Sequence, residues 1–173
     1  MTSPRIYLAG PTVFWPDAKR EGERLKAICR EHGVEGIFPL DAAPDLPPDG
    51  LEAVRMIRVA CHAMIRTSDA VVADLSPFRG PHCNDGTALE LGIALERGIP
   101  VFGYASDLTP LARRIVHTIA LDNRLRDAEM IEVEDFGQPF SAMIAGALAV
   151  EPFASAEAAI GFAARYLIGG LRL

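Results

Sequence analysis

Short apolar runs alternate with longer segments of helical periodicity along the chain. The clearest run, Ala70–Leu75, is apolar on both alternations, as expected of a parallel strand covered on both faces. Further runs predict strands at Ile6–Ala9, Gly36–Leu40, Pro100–Tyr104 and Ile131–Val133. This alternation predicts an α/β fold, a doubly wound, Rossmann-like parallel sheet of about five strands with helices on both faces.

The segments between these strands repeat their apolar residues at helical spacing. Val54, Ile57 and Cys61 illustrate the spacing on one helix face. Three prolines between Ala42 and Gly50 predict a loop. The predicted helices are Asp17–His32, Leu51–Thr67, Gly86–Arg97, Leu111–Ala120, Phe140–Val150 and Ala156–Leu167.

Composition narrows the class of protein. The 173 residues, 50% of them hydrophobic, suit one domain spanning residues 1–173. A net charge of −6 argues against a nucleic-acid partner, and no apolar stretch approaches the ~18 residues that span a membrane. The chain start predicts no signal peptide, and three cysteines predict a reducing compartment, so we expect a cytoplasmic protein.

One charged residue stands within an otherwise apolar predicted helix. Glu90 is the only charged residue between Gly86 and Leu95. Because an unpaired buried carboxylate is costly, we expect Glu90 to face a cleft at the strand ends, where the helix N-terminus favours its ionised form. Such a carboxylate suits nucleophilic attack on a sugar carbon. A solvated side chain paired with Arg97 is the structural alternative.

Three residues at strand ends are candidates for the same cleft. Asp74 either lines the cleft or caps the turn that begins at Ser76. Tyr7 either reaches the cleft or packs as an ordinary strand residue. Gly10 would let the backbone approach a ligand closely, although no dinucleotide or phosphate-loop signature surrounds it.

The sequence predicts no metal site and no organic cofactor. Cys61–His62 and His82–Cys83 are adjacent pairs, and adjacent residues ligate one metal poorly. No further cysteine or histidine stands at a metal-binding spacing from them. We interpret Cys61 as a small apolar group on its helix.

Four stretches together resemble the nucleoside 2-deoxyribosyltransferase family, namely IYLAGPTVFWPDA, SDAVVADLSPFRGP, DGTALELGIAL and VEDFGQPFSAM. The resemblance spans Ile6 to Met143. It implies a flavodoxin-like sheet and the transfer of 2-deoxyribose between nucleobases through a covalent sugar–enzyme intermediate. It also implies a deoxynucleoside and a free nucleobase as partners, and a homo-oligomer with shared active sites.

The same resemblance assigns roles to individual residues. Glu90 corresponds to the nucleophile and Tyr7 to the tyrosine that hydrogen-bonds to it. Asn123 corresponds to a residue that reaches the sugar 5′-hydroxyl in a neighbouring subunit's site, which Met143 also lines. The remaining substrate-binding candidates are Gly10, Phe14, Asp74, Asn84 and Asp85.

Three positions depart from the family pattern. Asn84 stands six positions before Glu90, where the family has Asp, and Cys61 stands where the family has Asn or Asp. Ser141 replaces the Asn of an Asn-Leu-Met stretch. A leaving base needs a proton or strong hydrogen bonds, and an amide cannot supply the proton. We therefore expect base recognition and leaving-group protonation to differ, with Asp85 as a candidate substitute acid.

Three functions remain open on the sequence alone. The first is deoxyribosyl transfer, the second is hydrolysis of a nucleoside or nucleotide on the same fold, and the third is non-catalytic nucleoside binding. The apolar loop from Gly10 to Trp15 favours nucleosides over nucleotides. Tyr7 and Glu90 favour an enzyme, so the sequence predicts a transferase.

Overall fold

Four parallel strands form the central sheet of the computed structural model, which describes residues 3–42, 50–120 and 122–170. The strands are β1 (Arg5–Ala9), β2 (Glu35–Ile37), β3 (Ala70–Asp74) and β4 (Val101–Tyr104). Their order is β2-β1-β3-β4, so the sheet grows in opposite directions from the β1–β3 pair. The carboxyl ends of β1 and β3 therefore border the crevice in which open α/β sheets bind ligands.

Helices cover both faces of this sheet. They are α1 (Ala18–Glu31), α2 (Gly50–Arg66), α3 (Asp85–Glu96), α4 (Leu111–Arg114), α5 (Ala142–Ala145) and α6 (Ala156–Gly169). The longer ones divide, with α1 and α6 on one face and α2 and α3 on the other. The predicted fold class is confirmed. Most of the loop predicted between Ala42 and Gly50 lies outside the described residues.

Successive side chains of β1 point alternately into two hydrophobic cores, one on each face of the sheet. Ile6 and Leu8 pack into the cluster beneath α1 and α6, and Tyr7 and Ala9 into the cluster beneath α2 and α3. All four side chains are buried, because successive side chains of a covered strand point to opposite faces. The polar hydroxyl of Tyr7 is therefore directed toward the face that carries α3.

The predicted helix Leu111–Ala120 is wrong beyond its first turn. Helix α4 ends at Arg114, and Ile115 already has extended backbone angles. The chain then forms a hairpin from β5 (Thr118–Ile119) and β6 (Leu125–Arg126). Residues 115–119 are mostly β-branched, and such side chains favour extended backbone over helix.

Two other predicted secondary-structure elements differ from those in the structure. Ile131–Val133 is not a strand of the parallel sheet, because Glu132 pairs instead with Arg126 of the hairpin. The helix expected over Phe140–Val150 is only the single turn α5, after which the amide of Ala149 donates to the carbonyl of Val101. The sheet thus has four strands, close to the predicted five, and a single bridge from Tyr104 to Phe153 extends its edge.

Candidate active site

A hydrogen bond joins the two residues that the sequence singled out as catalytic. The Tyr7 hydroxyl on β1 donates to Glu90 Oε1 on α3, with an oxygen–oxygen distance of 2.6 Å. Tyr7 is fully buried and Glu90 is half-buried. Residues that are 83 positions apart in sequence thus meet at the face of the sheet beneath α2 and α3.

The start of α3 fixes where Glu90 lies. Asn84 is the N-cap, and its Oδ1 accepts hydrogen bonds from the Thr87 amide at 3.1 Å and the Thr87 hydroxyl at 3.4 Å. Leu91 and Ala94 pack into the core and set the rotation of the helix. Glu90, next to Leu91, is thereby held at the edge of the packed face.

A cavity of about 320 Å³ adjoins the Glu90 carboxylate, and we call it the Glu90 cavity. Its polar lining residues within the described part of the chain are Cys61, Asn84, Thr87 and Glu90. Most of the other lining groups are apolar, among them Val13, Phe14, Leu40, Ile57 and Ala60. A largely apolar cavity with a few convergent polar groups is the usual form of a small-molecule site.

Burial sets the protonation of the pair. Burial raises the pKa of Glu90 to about 7, although the hydrogen bond from Tyr7 acts in the opposite direction. Burial and the neighbouring Glu90 charge raise the pKa of Tyr7 far above its usual value, so its hydroxyl remains a donor. The expectation that the helix N-terminus keeps Glu90 ionised is therefore corrected, since both forms of Glu90 are populated near neutral pH.

Cys61 also belongs to this site. Its thiol, on α2, lies beside both Tyr7 and Glu90 and lines the Glu90 cavity. Burial raises the pKa of the Cys61 thiol, which therefore stays neutral. From sequence, Cys61 is interpreted as a small apolar group on its helix and also stands where the family has Asn or Asp, and Ile57 is identified only by its helical spacing. Their helical spacing was compatible with a lined cavity as well, but spacing alone does not distinguish the two.

Gly10 and Phe14 line the same cavity. Gly10 has φ +153°, and a Cβ there would stand 2.8 Å from the Asp74 Cβ, so glycine is required where β1 passes β3. Phe14 is exposed at the mouth and stacks on Phe78, with 5.5 Å between ring centroids. The aromatic loop after β1 thus forms one wall of the cavity.

The acidic candidate residues Asp74 and Asp85 do not line the Glu90 cavity. Asp74 is buried, and its Oδ1 accepts from the Ser76 amide at 3.0 Å, the turn-capping alternative of the sequence analysis. It lines a different cavity. Asp85 is exposed and is not part of the Glu90 cavity lining, which weakens its candidacy as a substitute acid.

Asn123 and Met143 lie outside the Glu90 cavity of their own chain. Asn123 is exposed, with φ +61°, in the turn between β5 and β6. Met143 is exposed on α5. Ser141 is the N-cap residue of α5, but its side chain makes no capping hydrogen bond.

The described residues contain neither a metal-binding cluster nor a membrane-spanning helix. No group of three or more His, Cys, Asp or Glu side chains in residues 3–42, 50–120 and 122–170 is arranged to hold a metal ion. Within the same ranges, no helix combines the length and apolar character needed to cross a membrane.

Comparison with known proteins gives a consistent picture. The family model described as nucleoside 2-deoxyribosyltransferase matches residues 6–143. A 2-desoxiribosyltransferase from Leishmania mexicana is 32% identical, with a TM-score of 0.76 over 94% of this chain and 98% of that one. The 2-deoxyribosyltransferase of Bacillus psychrosaccharolyticus is 19% identical over 86% and 98% of the two chains, with a TM-score of 0.51, and shows the fold alone.

A relative in sequence comes from Schizosaccharomyces pombe. It is an uncharacterised protein that is 35% identical over 108 residues, which are 60% of this chain. The matched region covers 51% of that protein, so the chain spans about half the length of this relative.

The raised pKa of Glu90 predicts a pH-dependent stability difference. The folded chain binds the Glu90 proton more tightly than the unfolded chain does, so protonation of Glu90 stabilises the folded state. This stabilisation is complete below the ordinary pKa of 4.5 and is lost as the pH rises through about 7. We expect Glu90→Gln to match the wild type near pH 4 and to be more stable by about 3 kcal/mol above pH 8. Urea unfolding at several pH values measures this, with Glu96→Gln, exposed on the same helix, as the control. A difference that does not change with pH would contradict the assigned burial.

Proposed function

The chain belongs to the nucleoside 2-deoxyribosyltransferase family, and from this premise we propose that it transfers 2-deoxyribose between nucleobases with Glu90 as the nucleophile. The observation that carries the proposal is the 2.6 Å hydrogen bond from Tyr7 to Glu90 at the wall of a largely apolar cavity. A deoxynucleoside and a free nucleobase are the substrates, and neither a metal nor an organic cofactor takes part.

The first step forms a bond between Glu90 and the sugar. Tyr7 holds Oε1, which leaves Oε2 as the oxygen that attacks C1′ of the deoxynucleoside. The bond from C1′ to the base nitrogen breaks, and its electron pair leaves with the base. The product is a deoxyribosyl ester of Glu90 with inverted configuration at C1′.

The second step releases the sugar to an acceptor. The incoming base loses the proton of its attacking nitrogen to solvent and attacks C1′ through that nitrogen, the ester bond breaks, and the electron pair of the ester bond returns to Glu90. Two inversions retain the original configuration. Water in place of the base would give hydrolysis, the second candidate, and the predominantly apolar lining of the Glu90 cavity disfavours a held water.

Non-catalytic binding fits the site less well. A binding module has no need to hold a carboxylate in a buried position where its ionisation is disfavoured, since that burial costs stability. Perturbed carboxylates in cavities are typical of catalytic sites. The hydrogen bond from Tyr7 offsets part of the cost and orients the group, which supports an enzyme.

Removing either member of the pair tests the assignment. We expect Glu90→Ala to lower transfer by at least about a thousandfold, because the nucleophile is lost. Tyr7→Phe is expected to lower it by roughly 10- to 100-fold, the value of a hydrogen bond to a charged group, and to shift the acid limb of kcat/KM to higher pH. The shift has this sign because Tyr7 lowers the pKa of Glu90.

The assay incubates each variant with a deoxynucleoside and an acceptor base and separates the products by chromatography. Omission of the acceptor reports hydrolysis in the same experiment. Glu96→Ala, on the exposed side of α3, is the matched control and should keep wild-type turnover. Wild-type turnover in Glu90→Ala would refute the nucleophile, and an unshifted pH profile in Tyr7→Phe would refute its role.

Asn84 has a dual role in this proposal. Its Oδ1 is occupied by the cap of α3, which leaves the amide NH₂ as the group that can meet a base in the Glu90 cavity. An amide donates hydrogen bonds but transfers no proton at neutral pH. Bases that leave readily as anions are therefore the better substrates.

We expect Asn84→Asp to speed the cleavage of deoxynucleosides, with the larger gain for the poorer leaving base. Asp is as good an N-cap as Asn, so the variant keeps α3 in place and adds a carboxyl group that can carry a proton. Single-turnover rates over a series of bases of rising pKa measure the effect. Asp85→Asn, outside the cavity, is the control and should leave the series unchanged. If all rates changed by the same factor, the variant would have altered the shape of the Glu90 cavity, and proton donation by residue 84 would be contradicted.

A shared site is the second part of the proposal. Asn123 sits in an exposed turn, and several large apolar side chains on the same stretch are also exposed, among them Val116, Ile119, Met130 and Phe136. Monomeric proteins rarely expose many such groups together. We propose a homo-oligomer in which Asn123 and Met143 complete the Glu90 cavity of a neighbouring chain.

Subunit mixing tests this arrangement. Asn123→Ala and Glu90→Ala should each be nearly inactive alone, because each removes one part of every shared site. Assemblies that contain both variants should regain activity, since one site in a mixed pair keeps Glu90 and Asn123 intact. Glu129→Ala, exposed in the turn that follows β6, is the control and should keep wild-type activity. A fully active Asn123→Ala variant, or an active monomer in light scattering, would contradict the shared site.

A further inference from the structure

A second cavity lies at the carboxyl ends of β3 and β4, and we call it the Asp74 cavity. It has a volume of about 350 Å³ and lies on the side of the sheet that α1 and α6 cover. The loop after β1 separates it from the Glu90 cavity, with Phe14 facing one cavity and Thr12 and Trp15 facing the other. It is within the range of volumes that hold small molecules, about 300–1,000 Å³.

A buried carboxylate in this cavity has an unused oxygen. Asp74 is only 7% exposed, and its Oδ1 accepts from the Ser76 amide. Its Oδ2 accepts no side-chain or amide hydrogen bond from residues 3–42, 50–120 and 122–170, and it is open to the cavity rather than sealed in the interior. A carboxylate oxygen that lines a cavity and is free of protein partners can accept a hydrogen bond from a hydroxyl group of a ligand.

Neighbouring hydroxyl groups extend this polar surface. The phenol of Tyr104 lies near Asp74 on the adjacent strand, and burial followed by the Asp74 charge raises the pKa of Tyr104, which keeps its proton. The buried Thr12 also lines the cavity. The cavity thus combines a carboxylate acceptor with hydroxyls that both donate and accept.

Charge excludes phosphorylated ligands. Glu21 and Glu157 line the cavity together with Arg24, which pairs with both of them. With Asp74 included, these groups leave an excess of negative charge. An anionic ligand would be repelled, and a neutral ligand that carries hydroxyl donors is favoured.

An aromatic ring completes the site. Trp15 lines the Asp74 cavity and is 48% exposed, so part of the indole is available to a planar ligand. The ring of Phe78, also at this cavity, is already stacked on Phe14. Stacking on an aromatic side chain stabilises a bound base whatever its identity.

We propose that the Asp74 cavity binds a ribonucleoside, with the 2′-hydroxyl donating to Asp74 Oδ2 and the base on Trp15. An acidic side chain at the carboxyl end of a parallel strand is a common acceptor for ribose hydroxyls. The site differs from the Glu90 cavity in requiring the 2′-hydroxyl that a deoxynucleoside lacks. It does not rest on the proposed transfer reaction.

Trp15 is the chain's only tryptophan and reports directly on this cavity. Adenosine, titrated against the intact protein, is expected to change Trp15 fluorescence in a saturable manner. 2′-Deoxyadenosine should bind at least about tenfold more weakly, because it leaves a carboxylate oxygen without its donor. Ala60→Phe, which fills the Glu90 cavity, should leave the adenosine titration unchanged.

Asp74→Asn is the matched variant, because it keeps Oδ1 for the Ser76 amide and replaces Oδ2 by an NH₂ donor. It should weaken adenosine binding at least about tenfold. Tyr104→Phe, with a smaller loss, supplies a second test if Asp74→Asn does not fold. Equal affinity for adenosine and 2′-deoxyadenosine, unchanged binding in both variants, or no saturable signal with the wild type would overturn the proposal. Loss of binding in Ala60→Phe would assign it to the Glu90 cavity instead and would overturn it equally.

Discussion

The hydrogen bond between Tyr7 and Glu90 is the interaction on which the site depends. It connects the central strand β1 to α3 across the buried face of the sheet. A carboxylate in this position is costly to ionise, and the phenol offsets part of that cost. Burial therefore has two opposing effects on Glu90. It leaves the ionised carboxylate weakly solvated and so a better nucleophile, but it also raises the pKa of Glu90, so that a higher pH is needed to ionise it.

The fold meets these requirements through the order of its strands. Because β1 and β3 are neighbours whose connections run to opposite faces, the loop after β1 and the start of α3 meet at one crevice. Gly10 allows the close passage of β1 beside Asp74, and Asn84 fixes the first turn of α3. Neither residue forms or breaks a bond in the proposed mechanism, yet both determine where Glu90 lies.

Much of this arrangement follows from sequence patterns. The apolar run Ala70–Leu75 predicted a covered strand, and the isolated charge of Glu90 in an apolar helix favoured a site. The hairpin that contains Asn123 was not predictable from periodicity, because a short β-branched stretch satisfies a helical pattern as well. The lining role of Ile57 was missed for a related reason, since an apolar helix face can pack against a core or line a cavity, whereas only the family pattern singled out Cys61.

The position of Asp74 shows a second limit of prediction from sequence. Sequence places it at the end of β3, but which side of the loop after β1 it faces depends on the path of that loop. In the structure, Asp74 and Glu90 serve separate cavities. The packing of Gly10 against β3 separates the two cavities. This is a tertiary contact, and a local sequence pattern does not predict it.

The most direct test of the central claim is to trap the sugar on the enzyme. The wild-type protein is mixed with a deoxynucleoside without acceptor, quenched with acid, digested with trypsin and measured by mass spectrometry. Cleavage after Arg79 and Arg97 isolates Glu90 in one peptide, and fragmentation distinguishes it from Asp85 and Glu96. The account predicts one deoxyribosyl group on Glu90, absent from Glu90→Gln. Base release without any adduct on this peptide, together with inverted configuration in the product of a parallel reaction that contains an acceptor base, would contradict it.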